Sequence, residues 1–258
     1  MKSHDAVEKI SQAMIADGLC RAIFLKGSMG RGEEDAYSDV DLYVVVKDES
    51  LDLFLSRWRE YLKSYLPAVM VQEVNHCAPQ LVAVFEDGLH FDLYAVTADA
   101  LTIKDSVKTV YDPENLSRSC CEQAGPAMSC ETLAKLFEDA LYYFVEADAA
   151  YHRKNYPWTA RILSAALSNS AILLRWLYDP KHAEWGLKGI NCVLPSEQYQ
   201  WLLVASEHLN CPGFQTANNY ILKALEFVAE QVEPDIRARL NLCFLDWMRQ
   251  RLNVRLFA

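Results

Sequence analysis

The sequence predicts an α+β chain, with a mixed β-sheet flanked by helices in its N-terminal half and an α-helical bundle in its C-terminal half. Three observations carry this. Up to about residue 116, helical stretches alternate with short β-rich runs. After about residue 129 the periodicity is helical almost throughout. Between two of the β-rich runs stands Asp87-Gly88, a strong hairpin-turn signal. With 258 residues and 52% hydrophobic content there is enough for a real core, in one large domain or two small ones.

In chain order, residues 5–17 form a first helix, with Val7, Ile10, Met14 and Ile15 on one face and Gly18 as its stop. Residues 20–25 are a short apolar strand, 27–38 a glycine-rich acidic loop, and 40–46 a second strand ending at Lys47-Asp48-Glu49-Ser50. Residues 51–66 follow a 3.6 period through Leu51, Phe54, Leu55, Trp58, Leu62 and Tyr65, and Pro67 ends them. Residues 69–74, 81–86 and 89–96 are strands, and 109–111 is one more. Residues 116–127, with Ser, Gly and Pro and little periodicity, are the linker. Ser129 caps a helix running to about residue 151, which buries Leu133, Phe137, Leu141 and Phe144. Helices over 158–178, 196–209, 216–232 and 234–252 complete the bundle, whose many aromatics are core.

Lys+Arg 25 against Asp+Glu 35 gives a net charge of -10. Sequence-independent binding to long nucleic acid needs a basic surface to displace counterions, so that class is disfavoured, whereas a nucleotide ligand is not. The first ten residues lack the apolar core of a secretory signal, and no run of eighteen apolar residues appears, so the expectation is a cytoplasmic protein without a membrane span. The 8 cysteines form neither CxxC pairs nor a Cys/His zinc pattern. Adjacent Cys120 and Cys121 are chemically able to act as a redox pair, but free thiols in a reducing cytosol are the simpler account.

The informative stretch runs from Phe24 through Lys26-Gly27-Ser28-Met29-Gly30-Arg31-Gly32 to Ser38-Asp39-Val40-Asp41. Asp39 and Asp41 sit two apart at a strand start, so strand periodicity puts both carboxylates on one face and leaves Val40, Leu42, Val44 and Val46 for packing. Like charges held side by side repel, and a cation relieves them. Hard carboxylate oxygens with open positions suit Mg²⁺, which takes its other ligands from water and phosphate. In Leu89-His90-Phe91-Asp92-Leu93-Tyr94, the alternation puts His90, Asp92 and Tyr94 on one face. If this strand lies beside the Asp39 strand, three carboxylates converge and can hold two ions, the clamp used in phosphoryl-type transfer. Glycine at 27 allows close backbone approach to a ligand. The Ser28 hydroxyl and exposed N–H groups can cradle phosphate, Gly30 and Gly32 extend the permissive turn, and Arg31 can add a charged contact. No GxxxxGK[ST] is present, so this is not a P-loop.

Gly27-Ser28, Asp39-Val40-Asp41 and Asp92, each in its strand context, resemble the signature of the DNA polymerase β-like nucleotidyltransferase superfamily over roughly residues 20–112. The resemblance implies that residues 1–125 are a catalytic domain and that Asp39, Asp41 and Asp92 are catalytic and metal-binding. It implies that Gly27, Ser28, Arg31, Asp39 and Asp41 meet the nucleotide, and that Mg²⁺, as two ions, and ATP are required. Within the superfamily the chain resembles small bacterial aminoglycoside and lincosamide nucleotidyltransferases, which pair such a domain with a helical one. That likeness implies a substrate-binding role for residues 126–258, transfer of AMP from ATP to a hydroxyl of a small molecule, and antibiotic resistance. Members of this type often use a further carboxylate as general base. Glu146 and Asp148 lie on the first bundle helix, and Glu146 faces away from the Phe137/Phe144 stripe, toward a cleft or toward water. His90 and Tyr94 share the Asp92 face with either lining or structural roles, and Asp35 is a solvated loop residue. Two alternatives stay open: a protein or RNA acceptor of toxin–antitoxin type, and a non-catalytic nucleotide-binding module. The acceptor and the oligomeric state are not legible in the residues.

Overall fold

The apolar run before Lys26 becomes an inner strand of a six-stranded sheet in the computed structural model, which describes residues 1–75, 78–101, 106–119 and 128–255. Contacts divide the chain into two units, Met1–Ala124 and Gly125–Ala258. In the first, helix α1 (Lys2–Asp17) leads through Gly18, at φ 74, to β1 (Cys20–Lys26), a short helix α2 (Gly27–Arg31) and β2 (Val40–Val46). A 3₁₀ turn and α3 (Leu51–Leu62) follow, then β3 (Ala68–Asn75), β4 (Pro79–Phe85), β5 (His90–Thr97), β6 (Lys108–Tyr111) and α4 (Leu116–Ser119). The strand order is β3-β4-β5-β2-β1-β6. β2 and β5 are parallel and the other pairs antiparallel, so the sheet is mixed as expected.

Alternation assigns the two faces of this sheet. Val40, Leu42, Val44 and Val46 of β2 pack with Phe91, Leu93 and Ala95 of β5 against the apolar faces of α1 and α3. The opposite face carries a smaller cluster around Ala22, Phe24, Val45 and Val96. The β4–β5 turn uses Gly88 at φ 76, with the Asp87 carboxylate accepting the Leu89 N–H at 3.0 Å. β3 is an edge strand, and Val69 is 69% exposed.

Three expectations for the first unit need correction. The stretch 27–38 is not loop throughout, because its first five residues wind into α2, closed by Gly32 at φ 73. The third helix stops at Leu62 rather than near residue 66. The Ser64 hydroxyl bonds the Tyr61 carbonyl, the 63–65 segment turns, and Pro67 disfavours helix at the residue before it. Within the stretch taken as linker, residues 116–119 form α4, capped by the Asp112 carboxylate, which accepts the Leu116 N–H at 2.8 Å and the Ser117 N–H at 3.0 Å. Its remainder, with Cys120 and Cys121, lies outside the described residues, as does Cys77.

The second unit contains α5 (Cys130–His152), α6 (Tyr156–Tyr178), two 3₁₀ turns, α7 (Ser196–Glu207), α8 (Phe214–Gln231), α9 (Pro234–Arg237) and α10 (Leu242–Arg255). Ser129 caps α5 by accepting the Thr132 N–H at 3.1 Å. Leu133, Phe137, Leu141 and Phe144 are buried in a core shared with α6, α7 and α8. The single helix expected over 234–252 is broken, since Asn241 accepts the Phe244 N–H at 3.1 Å and starts a new helix at Leu242. Among the described residues no helix is long and apolar enough to cross a membrane.

Candidate active site

The parallel register of β2 and β5 sets Asp41 directly opposite Asp92, flanked by the pairs Val40–Phe91 and Leu42–Leu93. Asp39 precedes β2 by one residue and therefore lies beside His90, the first residue of β5. Asp92 is 8% exposed because its strand runs between β2 and β4. One carboxylate oxygen of Asp92 and the Ser28 hydroxyl are buried without a hydrogen-bond partner. Polar atoms in that condition are costly unless a ligand or ion completes them.

His90 lies between two of the carboxylates. Its Nδ1 is 3.9 Å from Asp39 Oδ2, and its Nε2 is 3.3 Å from Asp92 Oδ1. Ligand atoms of Asp39, His90 and Asp92 all fall within 4.8 Å of one another.

Asp41 occupies the other side of the site, against Gly27. Gly27 has φ 61, and a β-carbon there would overlap the Asp41 carboxylate. Glycine at this position thus serves the approach of Asp41 to the β1–α2 junction as well as any ligand. Gly30 has a packing role, since a β-carbon on it would come 2.8 Å from the carbonyl oxygens of Leu25 and Ser106.

Arg31 lies in the last turn of α2, where its guanidinium bonds the Glu33 carboxylate at 2.6 Å. Asp35 is exposed, yet it builds the turn that delivers Asp39. Its carboxylate accepts the Tyr37 N–H at 2.8 Å and the Ser38 hydroxyl at 3.1 Å. Tyr94 stacks on Tyr43 with ring centroids 4.2 Å apart, two residues along the strands from Asp92 and Asp41. Glu146 is exposed on α5, accepts the Tyr142 hydroxyl at 3.2 Å, and with Arg153, Asn155 and Trp158 lines a cavity of about 330 Å³ within the helical unit. Asp148, on the same helix, lies 3.4 Å from both His152 and Arg251.

Lys26 went unremarked in the sequence. It pairs in register with Asp41, and its ammonium sits 3.8 Å from the centre of the Tyr43 ring. A charged residue ending an otherwise apolar strand, just before Gly27, was the signal available.

The site thus combines a mixed sheet, paired carboxylates at the starts of two parallel neighbours, and a tight Gly-Ser turn before them. Residues 7–90, within the N-terminal unit, match the family model described as a nucleotidyltransferase domain. The matched span contains Gly27, Ser28, Arg31, Asp39 and Asp41 and ends two residues before Asp92. No curated protein matches the chain. Several solved structures are similar to it at low identity. An aminoglycoside 6-adenyltransferase from Bacillus subtilis is 12% identical with a TM-score of 0.39, covering 100% of both chains. A spectinomycin adenyltransferase from Enterococcus faecialis, solved with ATP and spectinomycin, is 10% identical with a TM-score of 0.34, covering 97% of this chain and 99% of its own. A terminal uridylyl transferase from Trypanosoma brucei, with bound UTP and UMP, is 12% identical with a TM-score of 0.33, covering 88% and 68%. At such scores the likeness carries no weight in assigning a substrate.

Proposed function

We propose that the protein transfers a nucleoside monophosphate, AMP from ATP, to a hydroxyl of a small-molecule acceptor with release of pyrophosphate. The observation that carries this reading is the Asp41–Asp92 register, with Asp39 alongside and the unpartnered Ser28 hydroxyl nearby. In this account Asp39, Asp41 and Asp92 hold divalent ions, Mg²⁺ in the simplest case. The buried, unsatisfied Asp92 oxygen and the donor chemistry of the carboxylates fit such ions. Bound there, they would neutralise charge on the triphosphate and favour the attacking hydroxyl.

The protein's own groups do the rest. The Ser28 hydroxyl donates to a phosphate oxygen, and the missing β-carbon of Gly27 keeps Asp41 close to that turn. Arg31 and Lys26 contribute positive charge on the nucleotide side, and Asp35 fixes the approach of Asp39. We assign acceptor binding to the helical unit. Its cavity offers the half-exposed indole of Trp158 beside the Glu146 carboxylate, a combination suited to a cationic, hydroxylated small molecule such as an aminoglycoside. The cytoplasm, where ATP is supplied, is the expected setting, and resistance to an antibiotic is the corresponding physiological role.

The test is transfer of label from α-labelled ATP, with Mg²⁺, to a panel of aminoglycosides, lincosamides and lysate proteins or RNA. Label on a small molecule, lost in Asp41→Asn, supports the reading. Label on protein or RNA replaces the acceptor assignment. Triphosphate binding with no pyrophosphate released under any acceptor makes the chain a non-catalytic module.

A further inference from the structure

We propose that Asp39, His90 and Asp92 form a mixed oxygen and nitrogen site that takes a first-row transition-metal ion more tightly than Mg²⁺. The inference rests on the metal-binding role proposed above for Asp39 and Asp92 and adds a ligand to it.

Register is the first support. β2 and β5 run parallel with Val40 opposite Phe91, so the residues before them, Asp39 and His90, are neighbours by construction. The imidazole Nδ1 lies 3.9 Å from Asp39 Oδ2 and its Nε2 lies 3.3 Å from Asp92 Oδ1, and one ligand atom from each of the three residues falls inside a 4.8 Å set. Donors sharing one ion lie about 3 to 3.5 Å apart, so a turn of the half-exposed imidazole that brings one nitrogen toward both carboxylates, with a closing movement, completes the set. Burial of Asp92 is the second support. Asp92 is 8% exposed, and its Oδ1, the atom nearest His90, is buried without a hydrogen-bond partner. A carboxylate oxygen in that state calls for a cation. His90 itself is half-exposed, which leaves the solvent side of the site open for water or a phosphate oxygen.

Ligand chemistry then selects the ion. Mg²⁺ prefers an all-oxygen octahedron and dehydrates reluctantly, whereas Mn²⁺, Co²⁺ and Zn²⁺ accept imidazole nitrogen, with affinity rising along the first row. A histidine between two carboxylates therefore shifts preference away from Mg²⁺.

The experiment titrates the nucleotide-free full chain with Co²⁺. It is read by visible absorption and calorimetry, with Mg²⁺ as competitor, and by NMR of the Co²⁺-loaded protein. The expected result is one site that Mg²⁺ displaces only at large excess, with a hyperfine-shifted imidazole N–H signal. His90→Gln should weaken Co²⁺ binding by about tenfold or more while changing Mg²⁺ binding little. His152→Gln, a control on a distant histidine, should change neither. The NMR signal is read on the unaltered protein, so the outcome does not depend on how a variant folds. Equal Co²⁺ binding in the unaltered protein and His90→Gln, with no shifted imidazole signal, overturns the nitrogen ligand and leaves the carboxylate reading standing. No divalent binding by the unaltered protein overturns both.

Discussion

Gly27 combines a positive φ with a site where a β-carbon would meet the Asp41 carboxylate. Gly27→Ala should therefore cost about 1–3 kcal/mol of stability, seen as a lower denaturant midpoint. It should also lower nucleotidyl transfer by about a hundredfold, because Asp41 must move. Wild-type activity in a folded Gly27→Ala protein would show that this contact does not matter. Asp112 gives a pH prediction. Burial alone would raise its pKa, but the hydrogen bonds it accepts from Ser117 and Leu116 outweigh that and hold it below the ordinary value. A depressed carboxylate contributes stability above its unfolded pKa, about 4, and loses that contribution as pH falls through the folded value. Asp112→Ala should thus cost about 1 kcal/mol at neutral pH. The gap in urea midpoint between it and the unaltered protein should narrow as the pH falls below the ordinary carboxylate range. A gap independent of pH contradicts this.

At the scale of elements, Ser129 satisfies an N–H at the start of α5, the helix that centres the second core. Ser129→Ala should cost about 1 kcal/mol by denaturant unfolding, and Ser129→Asp should restore it. An unchanged midpoint in Ser129→Ala would show that the cap contributes nothing. The strands carrying Asp41 and Asp92 were legible because period-two alternation is unambiguous when one face is wholly apolar, as in Val40, Leu42, Val44 and Val46. Ser129 was legible because a capping residue stood just before a long periodic run. By contrast, α2 was hidden because Gly27, Gly30 and Gly32 read as loop, although the tertiary contacts of Gly27 and Gly30 demand glycine inside or beside a helix. The break between α9 and α10 was hidden because Asn241 interrupts no hydrophobic period. Its capping role is visible only in the bond to Phe244. The position of His90 between two carboxylates depends on strand neighbours and on parallel register, which single-sequence periodicity does not supply.

For the molecule as a whole, charge is the deciding quantity. A net charge of -10 offers no basic field to release counterions from a duplex. Gel-shift titrations near physiological salt should find no retention of long DNA or RNA, and micromolar retention would reverse the preference for a small acceptor. The division into a sheet unit and a helical unit follows from where the hydrophobic clusters close, one on α1 and α3 and the other on α5 to α8.

The central claim is that Asp39, Asp41, Asp92 and Ser28 together receive a metal-bound triphosphate. A crystal structure grown with a non-hydrolysable ATP analogue and Mg²⁺ tests it most directly. The account predicts phosphates against Ser28 and ions held by the three aspartates. A nucleotide bound elsewhere, or ions that bypass Asp41 and Asp92, would contradict it.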